Sequence, residues 1–216
     1  SATVAYRTTT PPRIHPPVIT VGAMKAMNTL TRTDDRLASY SSKGPSMYDH
    51  IVKPDLVAPG NQVVSVHYPN SINGIWTNNA LWTNYPDTQI PQAYLDPNSN
   101  PNDKSGSYFR LNGTSMATPV VAGAAALLIQ KDASLTPAQI KARLMKTAYK
   151  TFPSSSVATD PVTGKTYTSR YNRFTVGAGY LNIPAALANT DLALGSAASP
   201  KVVFDSTNKT VTLVAG

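Results

Sequence analysis

Apolar positions along the chain fall into short β-branched runs and two helical stretches. Val18-Ile19-Thr20-Val21-Gly22-Ala23 follows a Pro pair and carries apolar residues in both phases of the strand period. That pattern predicts a strand buried on both faces. Asp55-Leu56-Val57-Ala58 predicts a second short strand, stopped by Pro59-Gly60. Gln62 to Val66 and Tyr108 to Leu111 predict the two arms of a hairpin. The stretch 67–107 between them is rich in Asn and Pro, holds both Trp residues and shows neither period, so it reads as a long irregular insertion. Ser115 to Gln130 is apolar nearly all round and predicts a buried helix, with Pro119 early enough to be tolerated. Thr136-Pro137-Ala138-Gln139 is a capping box with Pro at the first helical position, and Ile140, Leu144 and Ala148 form the core stripe of the helix it opens. The tail, Lys201 to Phe204 and Thr210 to Leu213, predicts a hairpin turning at Asp205-Ser206-Thr207-Asn208.

Composition narrows the class. The 216 residues are 41% hydrophobic and 14% charged, which supports a packed core and excludes a disordered chain. The net charge of +8 raises nucleic acid as a partner. The basic residues are scattered, however, and the densest group, Lys141, Arg143, Lys146 and Lys150, reads as the solvated face of the second helix. No nucleic-acid partner is therefore expected. Without Cys there is neither a disulfide framework nor a Cys-based metal site, and no apolar run approaches the length of a membrane span.

The candidate chemistry lies in Asn112-Gly113-Thr114-Ser115-Met116-Ala117-Thr118-Pro119. A strand ends, Gly113 permits a sharp turn, and a helix opens at the serine. Free N–H groups at a helix start stabilise a developing oxyanion, so Ser115 is the candidate nucleophile, with Gly113, Thr114 and Met116 shaping its turn. A lone serine at such a place is ordinarily only a cap.

The surrounding residues change that reading. NGTSMATPVVAGAAALL resembles the nucleophile segment of the subtilisin-like serine proteases. VITVGA (18–23), LASYSSKGP (37–45), KPDLVAPG (53–60) and VGAGYLNIPAAL (176–187) resemble further segments of that family in the same order, and ATVAY (2–6) extends the match. The resemblance implies a partial subtilisin-like α/β fold: the C-terminal half of a three-layer peptidase domain over 1–190, with a hairpin extension over 191–216. It implies a secreted endopeptidase that forms an acyl-enzyme on Ser115. It also places Ala5 at the base of a substrate pocket suited to an apolar or medium-sized side chain.

The family's Asp-Ser/Thr-Gly and His-Gly-Thr motifs, and its oxyanion Asn, do not occur upstream of Ser115. His15, His50 and His67 read as surface residues, and Asp205 as a turn residue. In subtilisin, a member of this family, loss of the triad histidine costs about a million-fold in turnover, a measured value. The chain is therefore expected to be nearly inert alone. Its expected partners are the N-terminal half of the same peptidase domain, as a nicked or separate piece, or a second copy through self-association, besides a protein or peptide substrate. Without that half, strand 18–23 is expected to present an open apolar edge. The alternative function is a pseudo-protease or interaction module that binds peptides without cleaving them. No cofactor is expected for the chemistry. Asp96, Asn98, Asn100 and Asp103 offer hard oxygens for a structural calcium, against the plainer reading of an Asn/Pro-rich loop. The insertion reads equally as a cleft-lining clasp or a surface flap.

Overall fold

The computed structural model describes residues 15–66, 70–72, 75–77 and 80–216. Two compact units divide the chain: one runs up to Asn61 and resumes at Gly113, and the other is Gln62–Asn112.

The first unit is built on β1 (Val21–Lys25), β2 (Arg36–Leu37) and β3 (Leu56–Pro59), in the order β2-β1-β3. β1 runs parallel to β3, with Val21 opposite Leu56 and Ala23 opposite Ala58, and β2 is antiparallel to β1. β1 starts three residues later than the expected strand at Val18. The cause lies in its lead-in: the Val18 carbonyl accepts from Lys53 Nζ at 2.8 Å, and the Thr20 N–H donates to Asp55 Oδ2 at 2.7 Å. Those groups serve side chains rather than a ladder. Nor is β1 an open edge. Arg36–Leu37 pairs with its end, the Ala38 N–H donates to the Ala23 carbonyl, and Ser41 Oγ accepts from the Ala23 N–H.

The second unit holds β4 (Val63–Val66), β5 (Asn70–Ile72), β6 (Ile75–Thr77), α1 (Ala80–Asn84), β7 (Gln89–Pro91) and β8 (Lys104–Leu111), with 3₁₀ turns at Pro86–Thr88 and Gln92–Tyr94. β4 and β8 form the expected hairpin arms, with Val63 opposite Leu111 and Val66 opposite Tyr108. The stretch between them is not irregular throughout, as its composition suggested. β7 adds to β8, β5 pairs with β6, and the elements are too short to show a period.

The chain then re-enters the first unit as α2 (Thr114–Lys131), α3 (Pro137–Lys146), β9 (Ser155–Thr159), β10 (Thr166–Arg170), α4 (Arg173–Val176), α5 (Ile183–Ala188), β11 (Lys201–Asp205) and β12 (Thr210–Val214). Strand alternation sends Val21, Ala23, Leu56 and Ala58 to one face of the sheet. There they pack with Ala117, Val121, Ala124 and Leu128 of α2, Ile140 and Leu144 of α3, and Ala186 of α5. Met24 and Val57 point to the other face, against Leu37, Val176 and Tyr180. This is the two-sided burial expected of a strand from a parallel pair. The Thr136–Gln139 capping box is present at the start of α3. The tail forms its hairpin, with Asp205 Oδ1 accepting from the Thr207 and Asn208 N–H groups. The β9–β10 hairpin had no counterpart in the sequence reading, although Asp160-Pro161-Val162-Thr163-Gly164 is a turn signal between two alternating runs.

Two helical expectations need correction. α2 is not buried all round: its buried stripe is Ala117, Val121, Ala124 and Leu128, while Ala122, Gly123 and Ala126 are exposed, and Leu127 and Ile129 are 41% and 48% exposed. The basic residues of α3 are not a solvated face. Lys141 and Arg143 are buried, and only Lys146 and Lys150 reach solvent. Lys141 recurs in helical phase with Leu144 and Ala148, so it lies on the core side, where burial is tolerated because its ammonium is paired. It lies 3.0 Å from Asp55 Oδ1 and donates to the Pro16 carbonyl at 2.6 Å and to Ser199 Oγ at 2.9 Å. Arg143 donates to the Asp191 carbonyl at 3.2 Å.

Candidate active site

Ser115 occupies the second position of α2 and is exposed. The helix opens one residue earlier than expected, at Thr114. Gly113 precedes it at φ 157°, ψ 161°, a region that only glycine occupies freely. The Gly113 carbonyl accepts from the N–H groups of Met116 (3.1 Å) and Ala117 (3.3 Å). Of the four N–H groups that a helix start leaves without intrahelical partners, this leaves those of Thr114 and Ser115 without an acceptor among the described residues. Pro119 has no N–H to offer the Ser115 carbonyl, so the hydrogen bonding of this first turn is incomplete. The Thr114 carbonyl accepts from Thr118 Oγ1 at 2.9 Å, and Met116 is half-buried.

The turn is tied to the end of β3. The Gly113 N–H donates to the Gly60 carbonyl at 2.8 Å, and Tyr40 Oη donates to the same carbonyl at 2.8 Å. A Cβ on Gly60 would lie 2.7 Å from the Gly113 carbonyl oxygen, 2.7 Å from Ala23 Cβ and 3.1 Å from Ala117 Cβ. Glycine at position 60 thus lets the serine turn close onto the sheet. The sequence marked Pro59-Gly60 only as a strand stop. Nothing in it signalled that this glycine sets the height of Ser115.

The Ser115 hydroxyl makes no hydrogen bond to a described residue. His15 is exposed in the lead-in, and His50 sits beside the tail hairpin, its carbonyl accepting from the Val202 N–H. Ala5 and His67 lie outside the described residues. In the second unit, Asp96, Asn98, Asn100 and Asp103 are exposed. Asp96 Oδ1 accepts from the Asn98 N–H, and Asn100 Oδ1 from the Asn102 N–H, so two of the proposed oxygens already hold Asx turns. Among the described residues no three His, Cys, Asp or Glu side chains gather as a metal ion would require.

A charged cluster that the sequence reading missed underlies the lead-in to β1. Lys53 Nζ lies 2.8 Å from Asp55 Oδ2 and donates to Ser199 Oγ at 2.9 Å, and Ser199 Oγ in turn donates to Asp55 Oδ1. With Lys141 this sets two buried ammonium groups around one buried carboxylate. Burial pushes Lys53 below the ordinary lysine range, and Asp55 opposes that shift. On the opposite side of the sheet, Arg32 lies over the rings of Tyr149 and Tyr180, and burial together with Asp35 pushes the Tyr180 phenol up.

The Subtilase family pattern matches residues 2–180. The chain belongs to the subtilase family. This subtilase is 38% identical over 130 residues to serine protease AprX of Bacillus subtilis, covering 60% of the chain and 24% of that protein. It is 33% identical over 174 residues to the subtilisin-like protease SBT1.6 of Arabidopsis thaliana, covering 80% of the chain and 18% of that protein. The chain thus spans a quarter or less of the length of these relatives. Among solved structures it resembles fervidolysin of Fervidobacterium pennivorans, a keratinolytic enzyme related to subtilisin. The TM-score is 0.52 at 24% identity, over 85% of this chain and 20% of that one, a likeness of fold. The mixed α/β architecture is therefore that of a partial subtilase domain. No helix among the described residues is long and apolar enough to cross a membrane.

Proposed function

We propose that this subtilase carries the nucleophile of a serine endopeptidase and that Ser115 forms the acyl-enzyme. The observation that supports this most directly is an exposed serine hydroxyl on a glycine-tethered helix start with two N–H groups free beside it. In the proposed reaction Ser115 Oγ bonds to the scissile carbonyl carbon while its proton passes to a histidine. The carbonyl oxygen becomes an oxyanion and accepts from the Ser115 N–H. Collapse expels the amine, which takes the proton from the histidine, and water then releases the acyl group by the same steps.

The histidine, its aspartate and the second oxyanion donor, an Asn, are proposed to come from the complementary N-terminal half of the peptidase domain. The exposed apolar side of α2, at Ala122, Gly123, Ala126, Leu127 and Ile129, supports a partner surface there, since such a stripe is stable only when covered. Alone, the chain is proposed to be nearly inactive, or to cover that stripe by self-association. The substrate is a protein or peptide in an extracellular setting, and no cofactor takes part in the chemistry. A structural calcium at the Asp96–Asp103 loop belongs to the same proposal. It would raise the melting temperature when calcium is added, and an unchanged melt removes it.

A fluorophosphonate probe tests the central claim. Ser115 labels in the assembled protein, and Ser115→Ala abolishes both labelling and hydrolysis without changing the melt. Absence of labelling in the assembled protein overturns the reading and leaves the binding-only module.

A further inference from the structure

β1 and β2 end on an unusual cross-strand pair. Lys25 stands directly opposite Arg36 in the antiparallel register, and both are exposed. Like charges placed opposite one another destabilise a ladder. Neither cation belongs to an ion pair found among the described residues. The nearest acid in sequence, Asp35, is buried and turned inward, hydrogen-bonded with Tyr180.

The pair lines a groove of about 260 Å³ between β2 and β9. Leu37 and Ala38 are its buried apolar floor, and among the described residues no carboxylate lines it. Tyr40 and Asn61 also line it. Tyr40 shares the Gly60 carbonyl with the Gly113 N–H, so a residue of the groove is linked through one carbonyl to the turn that holds Ser115. The volume is below the ~300 Å³ at which small-molecule sites begin and suits a single side chain. The charge suits a carboxylate, which two cations can grip by charge-assisted hydrogen bonds.

We infer that this groove is a specificity subsite that takes an acidic side chain of the polypeptide bound at Ser115, held by Lys25 and Arg36. A carboxylate between the two cations also relieves their mutual repulsion, which accounts for a like-charge pair that the fold itself does not need. The inference rests on the serine-peptidase reading for its substrate, although the groove's affinity for an acidic peptide does not depend on turnover.

The test uses the full-length protein and peptide pairs that differ by Glu against Gln at one position at a time. One position is expected to show kcat/KM roughly tenfold higher for Glu, about what two exposed charge contacts supply. Lys25→Gln/Arg36→Gln should abolish that preference, so that the Glu and Gln peptides are cleaved at equal rates, and its melt should be equal or higher. Equal rates at every position, or a preference that survives the double substitution, overturns the inference. If no peptide is cleaved, the serine-peptidase reading fails separately. The groove is then read with fluorescein-labelled acidic peptides on the Ser115→Ala protein. Affinity roughly tenfold weaker in the double variant sustains the groove, and equal affinity sinks it.

Discussion

Asp55→Asn is expected to be the most damaging conservative substitution in the chain. The side chains of Asp55, Lys53 and Lys141 are 1%, 0% and 2% exposed, so the cluster is out of water. Asn keeps the shape and can still accept from the Thr20 N–H, but it removes the only negative charge between two buried ammonium groups. Removing one partner of a buried pair costs about 3–5 kcal/mol, and here two cations lose it at once, so the upper part of that range applies. For a chain of this size that corresponds to a fall of about 8–20 °C in melting temperature. Lys141→Met is the informative companion. It leaves the Lys53–Asp55 pair neutral and is expected to cost less than half as much, despite losing the hydrogen bond to the Pro16 carbonyl. Thermal and urea unfolding followed by circular dichroism measure both. If Asp55→Asn unfolds within about 0.5 kcal/mol of the parent, or if Lys141→Met is equally damaging, the charge account is wrong and the cluster matters only for packing.

Gly60→Ala drives a methyl into the Gly113 carbonyl and Ala23, with an expected loss of about 1–3 kcal/mol. Probe labelling of Ser115 should fall further than that loss of stability explains, and full labelling would show that the serine turn is not set by this contact. Thr136→Ala removes one half of the α3 capping box and should cost about 1 kcal/mol, a drop of about 2–4 °C. The carboxylates of Asp160 and Asp205 are held below the ordinary range, the first by the Val162 and Thr163 N–H groups and the second by the Asn208 side chain and the Asn208 and Thr207 N–H groups. A carboxylate whose folded value is depressed stabilises the fold above its unfolded value, near pH 4, and loses that contribution as pH falls through the folded value. The β9–β10 and β11–β12 turns should therefore lose amide protection first below about pH 4. Equal protection factors at pH 2 and pH 6 for Val162 and Asn208 would refute it.

How far the sequence reveals this molecule depends on whether a feature is local. The α3 cap is legible because Thr136 and Gln139 meet within one turn, and the β11–β12 turn because Asp205 folds back on its own neighbours. Ser115 is legible because its turn, its helix and its glycine are contiguous. The missed features are made across the chain. Lys141 meets Asp55, Ser199 and Pro16 from three other segments, and a cation on a helix reads as solvated until those partners are known. The role of Gly60 needs the N–H of a residue 53 positions later (113 minus 60) to donate to its carbonyl at 2.8 Å. The exposed side of α2 is illegible for the opposite reason. Its sequence reports that a surface is apolar and says nothing of which molecule covers it.

The hydrogen bond between the Gly113 N–H and the Gly60 carbonyl has a consequence for how this chain can vary. The path leaves the first unit at Asn61 and comes back at Gly113, so the points of departure and return are already side by side. That closing hydrogen bond lies outside residues 62–112, in addition to the β4–β8 pairing within them. The closure cost of such a loop grows only as the logarithm of its length, so a connection of a few residues or of a whole small domain would be tolerated almost equally. Residues 62–112 therefore form an exchangeable cassette. A short turn grafted from Asn61 to Gly113 should leave the nucleophile where it is, and a different domain spliced into the same gap would acquire a serine already aimed.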